Sequence, residues 1–208
     1  MNATLYYAHD PMCSWCWGFR RTWEALQDRL PPSVDVVRLL GGLAPDSDAP
    51  MPVAMQQMLQ QTWQRIAEQI PGTEFNLDFW RRCAPRRSTY PACRAVIAAA
   101  KQGQAYDRLM TLAIQQAYYL NAQNPSDDRI LIALANELGL DIARFEQALN
   151  DDATQAQLLE EIVRCQQLGA QGFPSSILEQ GQQRWLLPMD YLSPESTLER
   201  ISQLLELS

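Results

Sequence analysis

The stretch that decides the reading is Tyr7-Ala8-His9-Asp10-Pro11-Met12-Cys13-Ser14-Trp15-Cys16-Trp17-Gly18-Phe19. Before it, Thr4 to Ala8 is short, β-branched and aromatic, which predicts a strand, and Asp10-Pro11 breaks that strand. After it, Phe19, Trp23, Leu26 and Leu30 recur at helical spacing until Pro31-Pro32 ends the run. The paired cysteines therefore stand between a strand and the first turn of a helix. A helix N-terminus carries a partial positive charge and unpaired backbone N–H groups. A thiol placed there loses its proton more readily, which favours Cys13 as a thiolate nucleophile. Two intervening residues bring the second sulfur within one turn. Cys13 is expected to be exposed, and Cys16, shielded one turn further in, is expected to resolve mixed disulfides.

Working outward, Val34 to Leu40 is a second strand closed by Gly41-Gly42, so the opening segment spells strand, helix, strand with a parallel crossover. From there to Gly169 only helical patterns appear. They cover about 51–69, 90–101, 106–120, 124–138, 142–149 and 153–168, with Asn124-Pro125 read as the cap and first position of the fourth. Phe173 to Leu178 reads as turn and strand and Arg184 to Leu187 as the partner strand, joined by a turn at Gly181, and Ser193-Pro194 caps a last helix. The fold class is α/β. Residues 1–43 and 151–208 form a discontinuous outer unit with a four-stranded mixed sheet, and residues 44–150 form an all-helical insertion.

Composition narrows the function. The 208 residues carry 17 basic and 24 acidic side chains, a net charge of -7, with no Lys or Arg run, which argues against nucleic acid or an anionic membrane as partner. No stretch suits a membrane span, and the first residues lack the features of a secretory signal, so a cytoplasmic location is expected. The cysteines are five: Cys13, Cys16, Cys83, Cys93 and Cys165. In a reducing compartment they should be thiols, and a C-x-x-C reads as redox-active or as half of a metal site. A zinc site needs about four ligands. His9 is the only histidine and there is no second C-x-x-C, so no metal is expected.

The segment from Tyr7 to Phe19 resembles the first strand and active site of DsbA-like proteins of the thioredoxin fold, especially their cytoplasmic FrnE-like branch. Gly172-Phe173-Pro174 resembles that family's turn into a cis-proline, and Ser88 to Ala99 resembles the helical segment bordering its active site. The resemblance implies a thioredoxin fold with a large helical insertion and a thiol–disulfide oxidoreductase acting on protein or small-molecule disulfides. It makes Cys13 the nucleophile, Cys16 the resolving cysteine and Pro174 the cis-proline. Ser14, Trp15, Phe173 and Pro174 then border the substrate. The inner pair Ser14-Trp15 departs from the Pro-His of strongly oxidising members, and Phe173 stands where a smaller residue is usual, which would narrow the groove. His9 and Asp10 are candidate modulators of the thiol pKa, His9 if its imidazole is charged. Trp15 is expected at the surface beside Cys13, Trp17 in the core.

No cofactor is expected, with glutathione open as a co-substrate and Arg81-Arg82 and Arg86-Arg87 as a cluster that could attract it. The rival enzyme class is the glutathione-dependent kappa-class transferases and 2-hydroxychromene-2-carboxylate isomerases, related in fold but with Ser at the first Cys position. A third reading is a non-catalytic binding module. Cys83, Cys93 and Cys165 read as small buried hydrophobes, with a Cys83–Cys93 bridge as the alternative.

Overall fold

In a computed structural model describing residues 3–206, four strands form one mixed sheet in the order β2-β1-β3-β4. They are β1 (Ala3–His9), β2 (Val34–Leu40), β3 (Ser175–Gln180) and β4 (Gln183–Leu186). β1 runs parallel to β2 and antiparallel to β3, and β3 pairs antiparallel with β4. The outermost positions of the expected outer unit, 1–2 and 207–208, lie outside the described residues.

Alternation along β1 sorts its side chains between two layers. Leu5 and Tyr7 join Phe19, Trp23 and Leu26 of α1 (Ser14–Gln27) and Ile201 and Leu204 near the C-terminus. Ala8 faces the other way, with Leu39, Ile177, the helical Cys165 and Leu168 just past that helix. The helix of the first layer that follows the sheet is Glu195–Glu206, and the one covering the opposite face is Asp152–Gln167.

Between β2 and Asp152 the described chain is helical apart from its connections. In chain order, α2 is Val53–Gln69, α3 Phe79–Arg82, α4 Tyr90–Ala100, α5 Ala105–Tyr119, α6 Asp128–Glu137 and α7 Ile142–Leu149; the two later helices are then α8 and α9. α4 is Ala-rich and almost wholly buried, packed with Met110, Ile114, Leu131, Phe145 and Leu158. A second cluster holds Trp63, Phe79, Tyr118 and Tyr119 against Trp17 of α1. Helix α1 is thus buried on two sides, against the sheet and against the insertion. Gly18 makes the second contact close: a Cβ there would lie 2.7 Å from Ile70 Cδ1.

One expected boundary moves. The helix read from Asn124-Pro125 begins only at Asp128. Asn124 Oδ1 instead accepts a bond from Ser126 N at 3.2 Å, and Ser126 Oγ donates to Ser88 O at 2.7 Å. An Asx-type turn tied to the start of α4 takes the residues that local capping preference would have placed in the helix.

Asp10, fully buried, joins the two parts of the chain. Its carboxylate accepts from Met12 N at 2.7 Å, Leu43 N at 2.8 Å and Thr89 Oγ1 at 2.7 Å. Asp10→Ala is expected to lower stability by about 3 kcal/mol or more, because it leaves buried donors unsatisfied. Chemical denaturation of the two proteins measures the difference.

Candidate redox site

Cys13 is the N-cap of α1, with extended φ -81° and ψ 117°. The turn from Asp10 sets it there: Cys13 N donates to Asp10 O at 3.0 Å, and Trp17 N donates to Cys13 O at 3.1 Å as the first helical bond. Cys16 follows one turn later in α1, near Cys13. Both are free thiols. Across from them the Phe173–Pro174 peptide bond is cis. Cys13 Sγ donates to Phe173 O at 3.3 Å. That contact corrects the expectation of an exposed Cys13. Its relative exposure is 6%, against 1% for Cys16, because the turn before β3 closes over it.

Phe173 differs from expectation too. Its ring lies on Gly41, at the end of β2, beside the Ala8, Leu39 and Leu168 cluster. What it presents to Cys13 is its carbonyl, so the large side chain is accommodated by a glycine rather than by the space in front of the thiol.

Burial is the largest influence on the Cys16 thiol and pushes its pKa well up; the neighbouring Cys13 adds to this. His9 is 1% exposed, and burial, helped by Arg38, lowers its pKa well below the ordinary histidine value. It is a neutral imidazole, which corrects the reading of a charged one assisting the thiolate. Burial raises the Asp10 carboxyl, opposed by its hydrogen bonds to Leu43, Thr89 and Met12.

Trp15 is half-buried, its ring edge-on to Tyr191 at 5.1 Å with the Arg65 guanidinium 5.4 Å from its centroid. Trp17 is buried, stacked on Tyr119 at 5.6 Å with its indole N–H on Glu74 O. Tyr191 and Arg65 come from distant segments, and no local pattern marked them. Ser14 lines a narrow cleft with Met12, Arg86, Arg87 and Thr89, so one arginine pair of the basic cluster reaches the site. Arg81 instead pairs with Asp78. Two of the other cysteines have separate partners: Cys83 Sγ donates to Ala122 O at 3.1 Å, and Cys93 Sγ to Asp10 Oδ2 at 3.6 Å.

Two expectations follow. Gly41→Ala should cost about 1–3 kcal/mol, as overpacking does, by driving a methyl group into the Phe173 ring. Adding Phe173→Ala should recover most of that loss in a double-mutant denaturation cycle. Secondly, a thiol whose folded pKa is raised contributes stability that is full below the unfolded value and is lost as pH rises through the folded one. Above about pH 8.5, the free-thiol value, the reduced protein should therefore lose stability more steeply than Cys16→Ala. Denaturation midpoints across pH read this directly.

Comparison with known proteins places this geometry. The chain shares 26% identity with a Nitrosomonas europaea structure provisionally described as a protein disulfide isomerase, with TM-score 0.84 over 100% of this chain and 99% of that one. The cytosolic disulfide reductase DsbM of Pseudomonas aeruginosa is 25% identical, with TM-score 0.77 over 99% and 100%. DsbM has also been solved with glutathione. Among curated relatives, the ClpXP adapter protein SpxH of Halalkalibacterium halodurans is 26% identical over 156 residues, 70% of this chain and 48% of that protein. The SpxH of Bacillus subtilis is 23% identical over 150 residues, 49% of its length. The chain thus spans about half the length of the curated relatives it matches. The DSBA-like thioredoxin domain profile matches residues 6–196, and the chain belongs to that family.

Proposed function

We propose that the chain is a thiol–disulfide oxidoreductase in which Cys13 attacks a disulfide and Cys16 releases the product. The observation that carries the reading is the placement of two free thiols at the start of α1, one capping the helix beneath the Phe173 carbonyl and one a turn inside. The first step breaks the substrate S–S bond, joins one sulfur to Cys13 and releases the other as thiolate. In the second step Cys16 attacks Cys13 Sγ, closes the Cys13–Cys16 disulfide and expels the remaining substrate thiolate. The dithiol starts reduced and ends oxidised while the substrate gains two electrons. Ser14, Trp15, Phe173 and Pro174 border the path by which substrate approaches.

The direction proposed is reductive and the location cytoplasmic, in keeping with the description of DsbM as a cytosolic disulfide reductase. Reduction potentials of about -200 to -270 mV belong to that role, and a value near about -120 mV would indicate an oxidant. Glutathione is the proposed small co-substrate. The Ser14 cleft offers the Arg87 guanidinium to its carboxylates, Arg86 there being paired with Asp127, and the relative DsbM has been solved with it. The same cleft favours, as a second reading, a glutathione-dependent transferase or isomerase. Both thiols being present supports the redox reading over it.

Cys16→Ala should accumulate a mixed disulfide on Cys13 when offered oxidised glutathione or oxidised insulin, while Cys13→Ala should form none and reduce neither. Mass spectrometry of the trapped adduct and an insulin-reduction assay check this. Reduction by folded Cys13→Ala at the native rate would end the proposal.

A further inference from the structure

Cys16 has a second approach that Cys13 does not share. A crevice of about 50 Å³ lies between α1, the β1 and β2 strands and α5, with Cys16 in its wall. It exceeds the roughly 10–15 Å³ that one water requires. Four polar atoms belonging to its wall are buried without a hydrogen-bond partner in the protein: His9 Nε2, Arg20 Nη1, Trp23 Nε1 and Gln27 Oε1. Donors and an acceptor are mixed among them, a set that water satisfies and that a single anion or cation does not. At the outer margin stand Glu24 and Arg108, both exposed.

The resolving step requires the Cys16 thiol to give up a proton, and the acidic group nearest in sequence is already engaged. The Asp10 carboxylate already accepts from Met12 N, Leu43 N, Thr89 Oγ1 and Cys93 Sγ. His9 is differently placed. Its Nε2 is unpaired, and its ring stacks on Tyr7 at 5.2 Å. An imidazole can take a proton on one nitrogen and release one from the other.

Resting on the redox reading above, we propose that His9 is a proton-relay group for Cys16, acting through water in this crevice. When Cys16 attacks the Cys13 mixed disulfide, the new S–S bond joins Cys16 to Cys13, the Cys13–substrate bond breaks, and the substrate leaves as thiolate. The Cys16 proton passes through crevice water to His9 and on to solvent at the Glu24 and Arg108 margin. The charged groups around His9 suit transfer over storage. Arg38 of β2, held by Asp107 at 2.5 Å, opposes a lasting imidazolium; Arg20 and Glu24 of α1 and Arg108 of α5 line the outward route. His9 therefore accepts a proton only in passing.

The test separates the two sulfurs. Reduced protein carrying Cys83→Ser, which removes the partly exposed thiol outside the pair, is mixed with the chromogenic disulfide dithionitrobenzoate, whose thiolate is released once as Cys13 attacks and again as Cys16 resolves. In His9→Gln the first release should stay within about twofold of wild type and the second should slow about 10²-fold, the low end of what a placed proton acceptor supplies. Imidazole added to His9→Ala should speed only the second release. Gln115→Leu, which removes a polar wall of the crevice and leaves His9 in place, should slow the second release alone and decides the matter if neither His9 variant folds. An unchanged second release in folded His9→Gln overturns the proposal, as does equal slowing of both. Failure of the redox reading looks different: the wild type would show no first release from Cys13.

Discussion

The site depends on one buried carboxylate. Asp10 follows the central strand β1 by a single residue and must lose its hydration to lie there. It is retained as an acceptor for three parts of the chain: the turn into α1 at Met12, the exit from β2 at Leu43, and the entry to α4 at Thr89. The first contact fixes where α1 begins and so makes Cys13 its cap. The other two hold the helical insertion against the thioredoxin-like sheet at the point where the thiols emerge. An unpaired carboxylate in this place would be strongly unfavourable, and the donors that surround it leave little freedom in the relative placement of the two halves.

The paired thiols are given unlike surroundings by elements distant in sequence. Cys13 meets a carbonyl from the turn before β3, some 160 residues away. Cys16 meets the wall of a polar crevice built from α1, β1, β2 and α5. Desolvation disfavours the anion of Cys16, the sulfur set in that wall. On the proposed reading, these unlike surroundings suit a dithiol that acts in ordered steps, one sulfur receiving substrate and the other closing the cycle. The neutral His9 belongs to the inner sulfur's surroundings, stacked with Tyr7, which in turn stacks on Trp23 at 3.9 Å.

Glycine has a specific place in this arrangement. Gly41 has no side chain because the Phe173 ring occupies that volume, and Gly18 has none because Ile70 and Ile66 of the α2 segment press against α1. Both substitute close approach for side-chain packing at the seams around the thiols. Each seam joins elements whose contact could not be foreseen from spacing: β2 with the turn before β3, and α1 with the insertion.

The sequence by itself determined the order of elements and the place of the paired cysteines between β1 and α1. The strand, Asp-Pro break, Cys-x-x-Cys and apolar helix are local patterns whose physics acts over a few residues, and the four strands and the helical block were legible for the same reason. The Gly-Phe-Pro turn opposite the thiols was legible only through family resemblance. The tertiary structure alone decided which side chains are charged, covered or joined. Cys13 is covered because a carbonyl from the far end of the chain reaches it, His9 is neutral because burial and Arg38 disfavour its cation, and Asn124 forms a turn because Ser126 is tied to Ser88. Tyr191 and Arg65 reach Trp15 from segments without any periodic mark. Desolvation and contact across the chain are sums over neighbours in space, and a linear pattern carries no record of which neighbours those will be.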